Sequence, residues 1–259
     1  MILRLRVISF NANGLRAAGR NGFFGWFARQ KADILCVQEL KAQAEQIDDA
    51  LYSPRGFHRF LFCAQKPGYS GVALYSRREP IDVVSGYGDA EFDAEGRYIE
   101  ARFDDVDVAS VYFPSGSSSE ARQQAKFRFL ASFEVFLRQK LATAKPFIFC
   151  GDVNIAHKII DIRNWRSNQK NSGFTPEERA WMDKLTGEIG FVDAFRVVNQ
   201  KPDQYTWWSQ RGNARANNVG WRIDYHLVSP GLGGTVERAS IYTGKYFSDH
   251  APLTIDYAL

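Results

Sequence analysis

Three cysteines in 259 residues are too few for a disulfide framework, and no two are spaced as CxxC. Cys36 (ILCVQE), Cys63 (FLFCAQ) and Cys150 (FIFCGD) each lie in an apolar, strand-like run. They read as small buried apolar residues rather than zinc ligands. No apolar run reaches the roughly 18–20 residues that cross a bilayer. The opening MILRLRVISFNANG alternates Arg with apolar residues and meets Asn at once, which is not a signal-peptide layout. We therefore expect a cytoplasmic protein, nucleoid-associated in a bacterium, with no membrane contact. GxSxG, the P-loop, GxGxxG and HExxH are all missing, which removes the common serine-hydrolase, kinase, dehydrogenase and zincin readings. No linker, low-complexity tract or short repeat is present. Bulk is not lacking: 20 Phe, 11 Tyr and 6 Trp exclude intrinsic disorder. The length suits one large α/β domain or two small ones.

Acidic residues are missing from one stretch in particular. Residues 205–222 hold no Asp or Glu, three Arg and three of the six Trp. Residues 82–107 hold nine acids against two Arg, a net of −7, which leaves about +11 on the remainder of a chain whose total is +4. A basic, aromatic-rich stretch suits a polyanion with rings or sugars to pack; charge runs are also common on plain solvated faces.

Short runs rich in β-branched and aromatic residues predict strands at 3–10, 33–38, 71–76, 98–103, 107–113, 147–152, 222–228 and 252–257. Helical patterns lie near 22–31, 42–51, 119–140 and 176–189. Thr175, Pro176 and Glu178 form an N-cap, first-turn proline and capping-box acid; Ser117 and Glu120 suggest a second capping box. Many short strands with few helices predict an α/β sandwich of two packed sheets with helices outside. Two strands end alike, in Asn11-Ala12-Asn13 and Asp152-Val153-Asn154. Alternate strand residues share a face, so each pair aims two polar groups at one point. This also hints at a weak internal duplication.

Four strings can carry chemistry. FNANG (10–14) offers Asn13, or is a plain turn. CVQELK (36–41) ends an apolar strand on Glu39, a position that needs a salt bridge or a hard cation such as Mg2+. FCGDVNIAH (149–157) offers Asp152 to accept a proton from water and Asn154 to hold an oxygen, or begins an ordinary turn. SDHAP (248–252) offers His250, which Asp224 of RID (222–224) could orient or keep charged; a lone His is also often structural. The set lacks a strong nucleophile. Water with Mg2+ as electrophile fits phosphodiester hydrolysis.

In this order the strings resemble the exonuclease III family of abasic-site (AP) endonucleases, within the endonuclease/exonuclease/phosphatase superfamily. The likeness runs from FNANG through QE (38–39), SGVALYS, EGR, YFPSG, GDVNIAH, NSGFTPEER, YTWWS, NNVGWRIDYHLVS and SDHAP. It implies a four-layered α/β sandwich, with residues 1–259 as a single catalytic domain and the site at one edge of two mixed sheets. It implies Glu39 as principal Mg2+ ligand (Mn2+ as substitute), beside Asn13, with Asp249 as a second-site or outer-sphere ligand. Asp152, Asn154 and His250 would also face the metal and phosphate. Asp152 would activate the water, Asn154 would hold it, and His250 paired with Asp224 would stabilise a phosphate oxygen. Tyr112 would touch the phosphate or assist the leaving oxygen. Trp208, Trp221 and Ile223 would line a small pocket for a sugar without its base, or be core residues. Lys170, Asn171, Arg215 and Arg222 would position phosphates.

The implied activity is Mg2+-dependent cleavage 5′ to an abasic site in duplex DNA by a monomer, leaving 3′-hydroxyl and 5′-deoxyribose phosphate ends. A relative devoted to trimming 3′ ends is the rival, and small Ser167 and Ser172 favour the endonuclease. A lipid or inositol phosphodiesterase should lack the Trp pocket and the 205–222 stretch; a non-catalytic DNA-binding scaffold should lack a ligand. Phe10 stands where the family usually has Trp, and Ser115 replaces an amide, which bears on the geometry around Tyr112. No N-terminal extension precedes the first strand, so we expect neither redox signalling nor a nuclear-targeting arm.

Overall fold

A computed structural model describes residues 3–259; Met1 and Ile2 lie outside the described residues. The strands are β1 (Arg4–Asn11), β2 (Ile34–Gln38), β3 (His58–Phe62), β4 (Val72–Ser76), β5 (Asp82–Ser85), β6 (Tyr98–Arg102), β7 (Asp107–Tyr112), β8 (Phe147–Asp152), β9 (Val192–Asp193), β10 (Trp207–Trp208), β11 (Gly220–Trp221), β12 (Asp224–Val228), β13 (Val236–Ile241) and β14 (Leu253–Ala258). The helices are α1 (Leu15–Arg20), α2 (Phe23–Phe27), α3 (Ala90–Asp93), α4 (Glu120–Ala142), α5 (Trp165–Asn168), α6 (Pro176–Lys184) and α7 (Ala194–Val198).

Two six-stranded sheets form, in the orders β13-β14-β1-β2-β4-β3 and β5-β6-β7-β8-β12-β9. Each is antiparallel except for one central parallel pair, β1/β2 and β7/β8. Parallel pairing brings both C-terminal strand ends to the same edge. Asn11 therefore sits beside Gln38, and Tyr112 beside Asp152.

Alternation along the central strands explains the layers. Leu5, Val7 and Cys36 face the other sheet, where they meet Ile148 and Cys150. Ile8 and Phe10 face outward onto Phe23, Phe24, Trp26 and Phe27. On the far side, Val111, Phe147 and Phe149 pack on Phe129, Phe133 and Leu137 of α4 and Met182 of α6. Strands buried on both faces read as continuous apolar runs. The result is the four-layered α/β sandwich expected from the sequence.

Several local expectations shift. Residues 22–31 make only a short helix: Gly22 is its left-handed N-cap (φ 87°), and α2 ends at Phe27. Residues 42–51 contain two short 3-10 turns, Ala44–Ile47 and Ala50–Tyr52. The N-cap of α4 is Ser119, whose hydroxyl accepts from Arg122 N; Ser117 instead bonds Ser115. The Thr175–Glu178 capping box is formed, and α6 stops at Lys184 before a wide π turn over Leu185–Ile189. Strands β3, β5 and β13 are edge strands without a clean alternating pattern, and the sequence reading missed them.

Candidate active site

Apolar strands β1 and β8 end in the same local structure. Asn11 Oδ1 accepts from the backbone N–H of Asn13 at 2.9 Å, and Asp152 Oδ1 accepts from that of Asn154 at 2.8 Å. Each is an Asx turn, in which a short polar side chain replaces a backbone acceptor. Asn13 (φ 42°) and Asn154 (φ 56°) are left-handed, as is Glu39 (φ 53°) just past β2. Non-glycine residues adopt this region at a cost, and such strain clusters at functional sites. The chain thus leaves the strand geometry at Asn13 and Asn154, and turns rather than strand alternation aim these side chains.

The turns converge. Asn11 Nδ2 donates to both Glu39 Oε1 (3.1 Å) and Asp152 Oδ2 (2.8 Å), so one neutral amide links carboxylates of the two sheets. Asn154 Nδ2 donates to Asp152 Oδ2 (3.1 Å) and to the Phe113 carbonyl (3.0 Å). Antiparallel pairing of β8 with β12 sets Asp224 directly opposite Asp152. Asp224 Oδ2 lies 2.9 Å from His250 Nδ1, and His250 Nε2 lies 3.9 Å from Asp152 Oδ2. Asp249 accepts from Asn13 Nδ2 (2.9 Å) and Trp207 Nε1 (3.2 Å).

Burial and charge set the protonation. Burial opposes the charge on His250, but Asp224, Asp152 and Asp249 outweigh it and hold its pKa up to about 10. Burial pushes Asp152 well above the usual carboxylate range; His250 works against this, while Asp224 and Glu39 add to it. Burial also opposes the charge on Glu39, but Lys41, the Tyr112 hydroxyl and His250 hold it below its usual range. The site thus pairs a charged imidazole with a carboxylate of raised proton affinity, which suits an acid–base role.

Asp152, Asp224 and His250 form one group among the described residues whose ligand atoms lie close enough to hold a metal ion. His250 Nδ1 is already engaged by Asp224, so this trio has the form of an oriented acid–base set. The harder oxygen set is Glu39 with Asn13. Lys41 Nζ rests 2.6 Å from Glu39 Oε2 and 2.5 Å from Asn13 Oδ1. A cation therefore already sits on two hard oxygens, and that donor set fits Mg2+.

Asn13, Glu39, Tyr112, Asp152, Asn154, Asp249 and His250 line one cleft of about 1040 Å3, with Lys170, Asn171, Trp221 and Ile223 on its walls. Asp224 stands behind His250, 1% exposed. Three of the expected residues lie elsewhere. Trp208 is 3% exposed in a small core with Tyr205, Ala214 and Ala251, and its neighbour Trp207 faces the cleft instead. The cause is register: Trp207 pairs across β10/β11 with Trp221, and directly opposed residues share a face. Arg222, 1% exposed, is not free to meet phosphate; its guanidinium is bonded to Asp161 (2.8 Å) and Asp193 (2.6 Å). Arg215 is stacked between Trp208 (4.8 Å) and Tyr246 (4.9 Å) and donates to the Ser248 carbonyl, outside the cleft wall.

Sequence reasoning gave no role to Lys41, Trp207 or Arg211, which border the cleft, and placed Asn11 only as half of a polar strand-end pair. Asn11 was legible as the first residue of an Asx pair. It also missed Lys126, fully buried, whose Nζ holds the Asn154 carbonyl (2.8 Å) and Glu178 Oε1 (2.6 Å) and ties the loop before α6 to the site.

Residues 8–250 match the Endonuclease/Exonuclease/phosphatase family. The chain is 41% identical over 258 residues to an exodeoxyribonuclease of Bacillus subtilis, covering 97% of this chain and 98% of that one. It is 38% identical over 260 residues to the DNA repair nuclease APEX1 of Danio rerio, covering 98% and 83%. The solved structure of an AP endonuclease from Archaeoglobus fulgidus superposes with a TM-score of 0.90 at 28% identity, covering 98% and 100%. With the carboxylate–amide–histidine site in place at the strand ends, the chain belongs to the endonuclease/exonuclease/phosphatase family, as an enzyme of its exonuclease III/AP endonuclease type.

Proposed function

We propose that the protein is a Mg2+-dependent class II AP endonuclease that acts as a monomer, with residues 1–259 as one catalytic domain. It hydrolyses the phosphodiester 5′ to an abasic site in duplex DNA, leaving 3′-hydroxyl and 5′-deoxyribose phosphate ends. The observation that carries this reading is the apolar wall of Trp207, Trp221 and Ile223 beside the Asp152–His250 pair. An extruded abasic sugar has no base to accommodate and sacrifices no stacking, so a small apolar wall favours it over an intact nucleotide.

Glu39, with Asn13 and Asp249 beside it, holds the Mg2+, and the bound ion supplies charge neutralisation at the phosphate. Mn2+, with similar hard-oxygen preference, is the substitute. Asp152 takes the proton of the attacking water, helped by its raised pKa. Asn154 keeps that water and Asp152 aligned through its amide. His250, kept charged and oriented by Asp224, donates toward a non-bridging oxygen as charge builds there. Tyr112, buried next to Glu39, contacts the phosphate or the leaving oxygen. Lys170, Asn171 and Arg211 on the cleft wall hold the DNA backbone.

The test offers duplexes with an internal tetrahydrofuran abasic analogue, a recessed 3′ end or a 3′-phosphate, with Mg2+ or EDTA, beside Asp152→Ala. We expect Mg2+-dependent cutting at the internal analogue and loss of it in the variant. If 3′ ends are degraded while the internal analogue survives, the enzyme is a 3′-end trimmer instead. Cleavage that persists in EDTA or in Asp152→Ala overturns the mechanism.

A further inference from the structure

Lys41 has an arrangement that DNA binding alone does not call for. It follows Glu39 by two residues, and both are left-handed (φ 47° and 53°). The doubly strained turn is pinned by backbone bonds from Leu40 N to the Gly71 carbonyl (3.1 Å) and from Lys41 N to the Ser70 carbonyl (2.9 Å). Its effect is to fold the Lys41 side chain back onto the preceding carboxylate. The ammonium then bonds Glu39 Oε2 at 2.6 Å and Asn13 Oδ1 at 2.5 Å. A lysine at a cleft mouth would gain more freedom pointing into solvent, and strain of this kind persists where surrounding structure enforces it.

We propose that Lys41 is a tethered competitor for the divalent-cation site, neutralising Glu39 until an ion displaces it. This rests on the reading of Glu39 as the Mg2+ ligand. The two oxygens that the ammonium occupies are hard donors of the kind Mg2+ takes. Ammonium and ion cannot hold the same lone pairs, and their like charges repel at contact distance. The stem is flexible and the Lys41 side chain 38% exposed, so displacement needs no backbone movement. Once displaced, the ammonium remains in the cleft that Lys41 itself lines, available to a phosphate oxygen. Any anion that draws it off Glu39 therefore tightens ion binding, and the reverse holds by linkage.

The experiment titrates the full chain, free of DNA, with Mn2+ alone and reads unbound Mn2+ by electron paramagnetic resonance. Lys41→Met keeps the stem and removes the charge; its Kd for Mn2+ should fall by about tenfold, the scale of losing one partly buried ion-pair competitor. Lys41→Gln should fall in the same direction, and Lys41→Arg should stay within about threefold of wild type. Unchanged or weaker Mn2+ binding in Lys41→Met and Lys41→Gln overturns the proposal, as does equal tightening in Lys41→Arg. Glu39→Gln separates the two readings. If it binds Mn2+ as wild type does, the ligand reading fails and takes this one with it. If it loses Mn2+ while Lys41→Met gains nothing, only the Lys41 proposal fails. Metal-free thermal melts verify that each variant is folded.

Discussion

Asp161 and Asp193 are matched charge for charge by Arg196 and Arg222, whereas Glu39, Asp152, Asp224 and Asp249 have only Lys41 and His250. Both groups are largely buried and both hold strand ends and loops together. In the first, every carboxylate has a guanidinium at hydrogen-bond distance, and the outcome is rigidity. Burial opposes the charge of Asp161, but Arg222 and Arg196 outweigh it and bring its pKa down to about 2. In the second, acids outnumber bases, Asp152 is pushed the other way, and Asp224 Oδ1 is buried with no partner. A fold tolerates such an excess when a cation, a proton or a phosphate completes it. The balanced cluster serves stability, and under the proposed mechanism the unbalanced one serves chemistry, although both are built on carboxylates.

Four measurements test this contrast. Asp152→Asn keeps the Asx-turn oxygen and removes the surplus charge. Single-turnover cleavage of an abasic duplex should slow by on the order of 10³-fold or more, while the melting temperature stays level or rises. A large loss of stability would mean that Asp152 is a structural partner. Arg222→Met should do the reverse, costing about 3–5 kcal/mol in urea unfolding because it leaves Asp193 without its guanidinium and Asp161 with Arg196 alone. An unaffected midpoint would show that the cluster is not what locks the 161–163 segment against β11.

Acid should find the balanced cluster next. The folded pKa of Asp161 lies below its ordinary value of 3.8, so its contribution is full above that value and disappears as pH falls toward about 2. A shift of this size is on the order of 2 kcal/mol. Urea midpoints from pH 5 to 2 should therefore fall less steeply in Asp161→Asn than in wild type; parallel curves would remove the argument. The smallest effect concerns the divalent ion. Mg2+ at ten times its Kd should add about 1.4 kcal/mol to wild type and none to Glu39→Gln, with Arg222→Met gaining as much as wild type. A melt in which Glu39→Gln responds fully to Mg2+ would move the cation to another site.

Much of this was legible in the chain because the site's residues are polar ends on apolar strands. FNANG, QE and GDVN each stop a buried run and SDHAP precedes one, all with groups that cannot stay buried unpaired, and each reaches the cleft. Two of the three misplacements share one physical origin. Trp208 for Trp207, and Arg222 set beside Trp221 and Ile223, are single-residue choices of face, and in a strand one residue decides between cleft and core. Two-residue strands such as β10 and β11 carry too little pattern to fix that phase. Helix 22–31 is cut short for a different reason: it stops at Phe27, and Lys31 is left-handed (φ 54°), which composition does not reveal.

The amino-acid pattern alone sets the layers, the central strands of each sheet and the chemical types at the site, because burial periodicity and turn chemistry are local. The partners of those groups came from the assembled fold. Strand pairing across β8 and β12 set Asp224 behind His250, sheet packing let Asn11 link Glu39 with Asp152, and a strained turn laid Lys41 on Glu39. Pairings between distant residues depend on register and on the closure of two sheets, and no local pattern encodes them.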